Sequence, residues 1–171
     1  MESTKEIPKS KRPFNTPLET GLRTLFILNS VNPNFYDLQR LIFYDYLLVH
    51  SSDVPGGPPS LHPPLPYRAG EWLVRRKLVS DGLDLMISRE LIERRFDKKG
   101  LIYGSTELTK PFLQYLNSEY AKMVYSISIW LFETFTPYTN EELTNFMIEH
   151  LGRWGAEFRK EAFLTQEKEH E

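Results

Sequence analysis

Half of the chain's twelve prolines fall between Pro55 and Pro66, in the run VPGGPPSLHPPLPYR, which lies between two strongly apolar segments. Each proline removes a backbone donor and biases its predecessor toward extended backbone, so this run is neither helix nor central strand. A connection of this length inside a compact domain is either functional or disordered. Whatever the flanking segments build must tolerate a long irregular loop between them.

The flanks read as helices. After a basic arm over residues 1–15, expected to be flexible, Thr16, Pro17 and Glu19 form a helix start: a hydroxyl cap, proline at the first helical position and a carboxylate placed to reach back. Leu18, Leu22, Leu25 and Phe26 follow at helical spacing, and Asn32-Pro33 ends the helix. Asn34 is expected to cap a second helix running to about Ser51. Its length is almost wholly apolar, which makes it central to the fold. Asp45 lies on that helix's apolar stripe, where an unpaired carboxylate is costly, so an arginine partner is expected from Arg68 or Arg40.

Beyond the proline run, Ala69 to Val79 and Leu83 to Glu90 read as two short helices broken by Ser80-Asp81-Gly82, a capping and turning triplet. LIERRF, DKKG and LIYGS make a strand, a glycine-containing turn and a strand, and TELTKPFLQYL follows with helical spacing. Helices feeding a two-stranded wing and then a helix is the winged-helix order. The expected fold is therefore mainly α: a winged-helix domain over residues 16–117 carrying the proline-rich loop 52–67, a helical extension over 118–164 and a frayed tail over 165–171. In the extension, Tyr120 to Phe135 is one helix. Thr139 and Glu142 open another, with Leu143, Phe146, Met147, Leu151, Trp154 and Phe158 on one stripe.

Composition narrows the function classes. The chain has no cysteine, which leaves no disulfide framework, thiolate metal site or thiol nucleophile and fits a cytoplasmic protein. No apolar run approaches the roughly 18 to 20 residues that span a bilayer, and the first residues lack the apolar core of a signal peptide, so membrane insertion and secretion are not expected. The net charge of -2 hides opposed poles: the stretch 68–100 is rich in Lys and Arg, and 133–171 is rich in Glu. That balance points to a local basic patch and away from a generally basic nucleic-acid binder.

Motifs for nucleotide or metal chemistry are missing: there is no G-x-x-x-x-G-K-[ST] phosphate loop, no H-E-x-x-H and no G-x-S-x-G. No cofactor is expected. Asp45, His50, Asp53 and His62 gather near the loop entrance and offer acid-base or metal-binding groups, although their spacing follows no ligand pattern and loop-end Asp and His often bond backbone. The segment that would enter a DNA groove, GLDLMISRE, carries Asp84 just after Asp81 and is otherwise largely apolar, a surface that repels phosphate and reads bases poorly. Arg94, Arg95, Lys98 and Lys99 on the wing could touch a nucleic-acid backbone, or be simply solvated.

Four segments together carry a resemblance: FNTPLETGLRTLFILNS, FYDLQRLIFYDYLLVHSSD, GGPPSLHPPLPYRAGEWLVRR and LIERRFDKKGLIYGSTELTKPFL. From Phe14 to Leu116 the chain resembles the middle component of ABC-three-component systems, the small subunit of Lamassu-type anti-phage complexes. The resemblance implies a non-catalytic subunit that binds a separate SMC/Rad50-like ATPase alongside an effector, often a nuclease, with DNA met through the complex. On that basis Pro58, Pro59, His62, Pro64 and Tyr67 of the loop, with the flanking Arg68, Glu71, Arg75 and Arg76, are expected to contact a partner, since semi-rigid proline-rich backbone loses little entropy on binding. The rivals are a stand-alone winged-helix transcription regulator and an enzyme built on the Asp45, His50, Asp53 and His62 cluster.

Overall fold

The computed structural model of the chain describes residues 16–63 and 71–150. The order is α1 (Pro17–Ser30), β1 (Tyr36–Asp37), α2 (Leu38–Val49), α3 (Glu71–Ser88), β2 (Ile92–Asp97), β3 (Gly100–Ser105), α4 (Thr109–Leu113), α5 (Glu119–Phe135) and α6 (Asn140–His150). Helices dominate, and the strands form one antiparallel sheet in the order β1-β3-β2. The expected arm over 1–15, the tail over 165–171 and the residues Leu151, Trp154 and Phe158 lie outside the described residues.

Helix α1 starts as its sequence demands. The Thr16 hydroxyl accepts from the Glu19 backbone at 3.2 Å, and the Glu19 carboxylate accepts from the Thr16 backbone at 3.1 Å. The second helix departs from expectation. Asp37, rather than Asn34, caps α2 by accepting from the Arg40 backbone at 2.8 Å. Tyr36 and Asp37 first pair with Tyr103 and Ile102, adding a third strand to the expected hairpin. A two-residue strand leaves too little alternation to be seen in sequence.

The largest correction concerns α3, which is one helix where two were expected. Gly82 does not turn the chain: it lets α3 cross α1 at close range. A Cβ on Gly82 would lie 2.7 Å from the Gly21 backbone nitrogen and 2.9 Å from the Pro17 carbonyl oxygen, and one on Gly21 would lie 2.9 Å from the Gly82 carbonyl oxygen. Asp81, read as a cap, instead pairs with Lys77 one turn earlier at 2.7 Å. Two glycines facing each other across a helix crossing look, in a single sequence, like a helix break.

The core is built around α2, whose residues from Arg40 to Val49 are all buried. Leu25 of α1, Leu41, Leu47 and Leu48 of α2, Val79 and Leu83 of α3, Val124 and Leu131 of α5 and Leu143 of α6 close around it. Full burial of each large aliphatic side chain is worth about 1.5–3 kcal/mol, which is why this layer fixes the fold. Arg40 then pins the far end. Its guanidinium donates to the Tyr44 hydroxyl and to the carbonyl oxygens of Phe135 and Tyr138, at 2.8–3.1 Å, and to Asn140 Oδ1 at 2.9 Å. The expected capping box of α6 is present: the Thr139 hydroxyl accepts from the Glu142 backbone at 3.2 Å, and the Glu142 carboxylate from the Thr139 backbone at 2.7 Å.

Candidate functional site

The proline run begins as an ordered turn. A short 3-10 turn over Ser51–Asp53 follows α2, and Gly57 sits so close to it that a Cβ would lie 2.2 Å from the Ser51 carbonyl oxygen. Only glycine fits there. The Ser51 hydroxyl donates to the Pro59 carbonyl oxygen at 3.2 Å, the Ser60 hydroxyl accepts from the Ser52 backbone at 3.0 Å, and the His62 backbone donates to the Val49 carbonyl oxygen at 3.0 Å. Pro58 is half-buried and Pro59 exposed. Pro64, Tyr67, Arg68 and the side chain of Glu71 lie outside the described residues.

Beneath this turn lies a buried ionic cluster drawn from three helices. Arg23 of α1 donates from Nε and Nη2 to the Asp45 carboxylate at 2.7 and 3.2 Å, and Arg75 of α3 donates to the same carboxylate at 2.5 Å. Asp45 is 0% exposed, Arg23 2% and Arg75 5%. Burial alone would raise the Asp45 pKa, but the charges of Arg23 and Arg75 outweigh it and hold the carboxyl below its usual range. Burial likewise opposes the Arg23 charge, and Asp45 with the Tyr120 hydroxyl overcomes it, so the Arg23 pKa is raised. Of the two expected partners of Asp45, Arg68 lies outside the described residues. Arg40 turns instead to the junction of α5 and α6, as described above. The cue that points to Arg23 is its helical spacing with Thr20, Thr24 and Ile27, all on the buried side of α1.

The loop-entrance residues gather around this cluster, each with its own partner. His62 Nε2 and the Tyr120 hydroxyl share a hydrogen bond of 3.1 Å. Burial, assisted by the Arg23 charge, lowers the His62 pKa to about 4, so its ring is neutral at physiological pH. Its ring centroid lies 6.4 Å from that of His50, which packs 4.9 Å from Tyr46. The Tyr46 hydroxyl donates to the Asp53 carboxylate. Among the described residues, no three His, Asp or Glu side chains converge as a metal ligand set. Asp45, His50, Asp53 and His62 are thus neighbours, but they form a network of mutually engaged groups that ties α1, α2, α3 and α5 to the mouth of the loop. Arg75, expected at a partner surface, belongs to this interior, while Arg76 beside it is exposed.

The wing is open. Arg95 lies over the Phe35 ring at 4.3 Å and pairs with Glu93 at 2.9 Å, and Arg94 reaches Asp84 on α3 at 3.9 Å. Lys98 and Lys99 stand exposed at the turn, where Asp97 accepts from the Lys99 backbone and Gly100 takes a φ of 125°. Two of the four wing cations are therefore partly neutralised by carboxylates. Surface pairs of this kind contribute about 0–1 kcal/mol, so they remain available to a competing anion.

Helices around a small sheet, with an arginine–aspartate cluster inside and apolar side chains reaching the surface, define a small mainly helical protein. The chain belongs to the Middle Component 2 family of ABC-three component (ABC-3C) systems, whose family model matches residues 13–157. That span reaches beyond Leu116, where the resemblance read from the sequence stops, and takes in α5 and α6. No curated protein and no solved structure matches the chain. As the middle component of a multi-component system, it works with partner proteins. Among the described residues, no helix is long and apolar enough to cross a membrane.

Proposed function

We propose that the chain is a non-enzymatic adaptor in a cytoplasmic, Lamassu-type defence complex. In this reading it binds a separate SMC/Rad50-like ATPase and helps to hold an effector nuclease in check until foreign DNA is sensed. The observation that carries the proposal is the family match over residues 13–157, which takes in every described residue. The interior supports it. The residues that looked most like an acid-base site are engaged with arginine and tyrosine partners, an arrangement suited to fixing helices in register.

The same proposal takes the fold as a winged helix. The succession of α1, β1, α2, α3, β2 and β3 with sheet order β1-β3-β2 supports that assignment, with α3 as the helix that would face a ligand. Its outer side carries Lys77 paired with Asp81, and Asp84 paired with Arg94. A row of ion pairs suits a protein surface better than the phosphates and base edges of a DNA groove.

Within this reading the ATPase meets the proline-rich loop. The test replaces residues 56–64 by a short flexible linker and co-expresses the variant with the SMC/Rad50-like ATPase that the proposal assigns to it. A folded variant that no longer co-purifies is expected, and a folded variant that still does so contradicts the assignment. Tight, sequence-dependent DNA binding by the chain alone would favour the transcription-regulator alternative.

A further inference from the structure

The outer side of α1 carries a groove that the ionic cluster borders only at Arg23 and Tyr120, whose polar groups turn to Asp45 and His62. Three depressions of about 420, 440 and 410 Å³ adjoin one another along the helix. The first two share Leu22, and the second and third share Phe26, Leu116, Asn117 and Ala121. From Leu18 to Asn29 the groove follows α1 for roughly 16 Å, the length of three turns of a helix laid into it. Its rim is apolar and exposed: Leu18 is 54% exposed, Tyr115 84% and Tyr125 51%. Large aromatic side chains held this far into water are the usual anchors of a protein interface.

Charge narrows the occupant. The basic side chains along the groove are Arg89 at one end, Lys110 and Lys122 at the other, and Arg23, whose charge is turned inward to Asp45. Its acidic lining residue, Glu19, is held in the α1 capping box. Among the described residues Lys122 pairs with exposed Glu119 at 2.9 Å, and Arg89 and Lys110 have no ion pair. We propose that this groove docks an amphipathic helix from a protein partner, its apolar face on Leu22, Phe26 and Leu116 and its acidic flanks on Arg89, Lys110 and Lys122. An apolar floor fits the i, i+4, i+7 face of such a helix, and the basic rim fixes its direction and charge. The inference rests on the reading of the chain as one subunit of an assembly, and it assigns a surface separate from the proline-rich loop.

The test co-expresses the full chain with the proteins encoded beside it and measures capture by the wild type, Leu18→Glu, Tyr115→Glu and Tyr125→Glu. All three positions are at least half exposed, so unchanged denaturation midpoints are expected and confirm folding. Capture should weaken roughly tenfold or more for Tyr115→Glu, as for an interface anchor. A photo-crosslinker in place of Tyr115 should then mark a partner segment with an apolar face flanked by Asp and Glu. Lys110→Glu combined with Lys122→Glu should weaken capture further at low salt than at high salt. Undiminished capture by the folded variants overturns the docking site and leaves the assembly reading standing. A crosslink to the chain's own residues, to a second copy or to a basic segment also overturns it, because the occupant is then not the one proposed. If the wild type captures nothing, both the assembly reading and the docking site fall.

Discussion

Two parts of α1 depart from the usual pattern of a helix in opposite ways. Its buried side carries, beside Leu25, Ile27 and Leu28, the full charge of Arg23, while its outer side leaves Leu18 exposed and Leu22 only partly covered. The difference teaches what each side is for. A buried charge survives only where its partners are fixed, so the inner side specifies how α1, α2 and α3 meet. An exposed apolar row has no such partner within the described fold, and its free energy is recovered only when something covers it.

That contrast is broken most severely at Asp45. Replacing it by alanine leaves two buried guanidinium groups without their carboxylate, and the expected loss is about 3–5 kcal/mol, read from urea denaturation of the full chain. A loss below about 1 kcal/mol would mean that the cluster relaxes into water and specifies nothing.

The second effect is smaller and concerns the helix crossing on the same inner side. Alanine at an ordinary helical glycine stabilises by about 0.5–1 kcal/mol. Gly82→Ala should do the opposite, because the added methyl meets the Gly21 and Pro17 backbone and neither can swing away. The expected cost is about 1–3 kcal/mol in the same measurement.

The third is a dependence on pH. His62 has its pKa lowered from 6.5 to about 4, so as pH falls the unfolded chain takes up the proton first, and stability should decline between about 6.5 and 4. Asp45, whose pKa is also lowered, contributes stability that is present above its ordinary value of 3.8 and is lost only at still lower pH. The two windows separate. His62→Gln should flatten the decline above pH 4 and leave the more acidic one in place. A decline of unchanged depth above pH 4 would assign it to other groups.

Much of the fold was legible because it rests on local chemistry. The Thr16 and Thr139 capping boxes, the DKKG turn and the apolar run of α2 each announce themselves within a few residues. What was hidden depends on distant contacts. Ser80-Asp81-Gly82 reads as a break until Gly21 is known to face it, and the strand pairing of Tyr36 and Asp37 exists only because β3 lies beside them. The candidate site divides the same way. Asp45 was marked by a carboxylate on an apolar stripe, but its partners Arg23 and Arg75 come from helices 22 and 30 residues away. Spacing within one element cannot select among such distant cations.

The central claim is that the interior charges hold the fold and the exterior surfaces do the binding. One paired measurement tests it: denaturation midpoint and capture of the co-expressed partner proteins, the latter normalised to folded protein, for Asp45→Asn and Tyr115→Glu. A lowered midpoint with normal capture is expected for Asp45→Asn, and a normal midpoint with lost capture for Tyr115→Glu. Normal capture by Tyr115→Glu, or lost capture by folded Asp45→Asn, would contradict it.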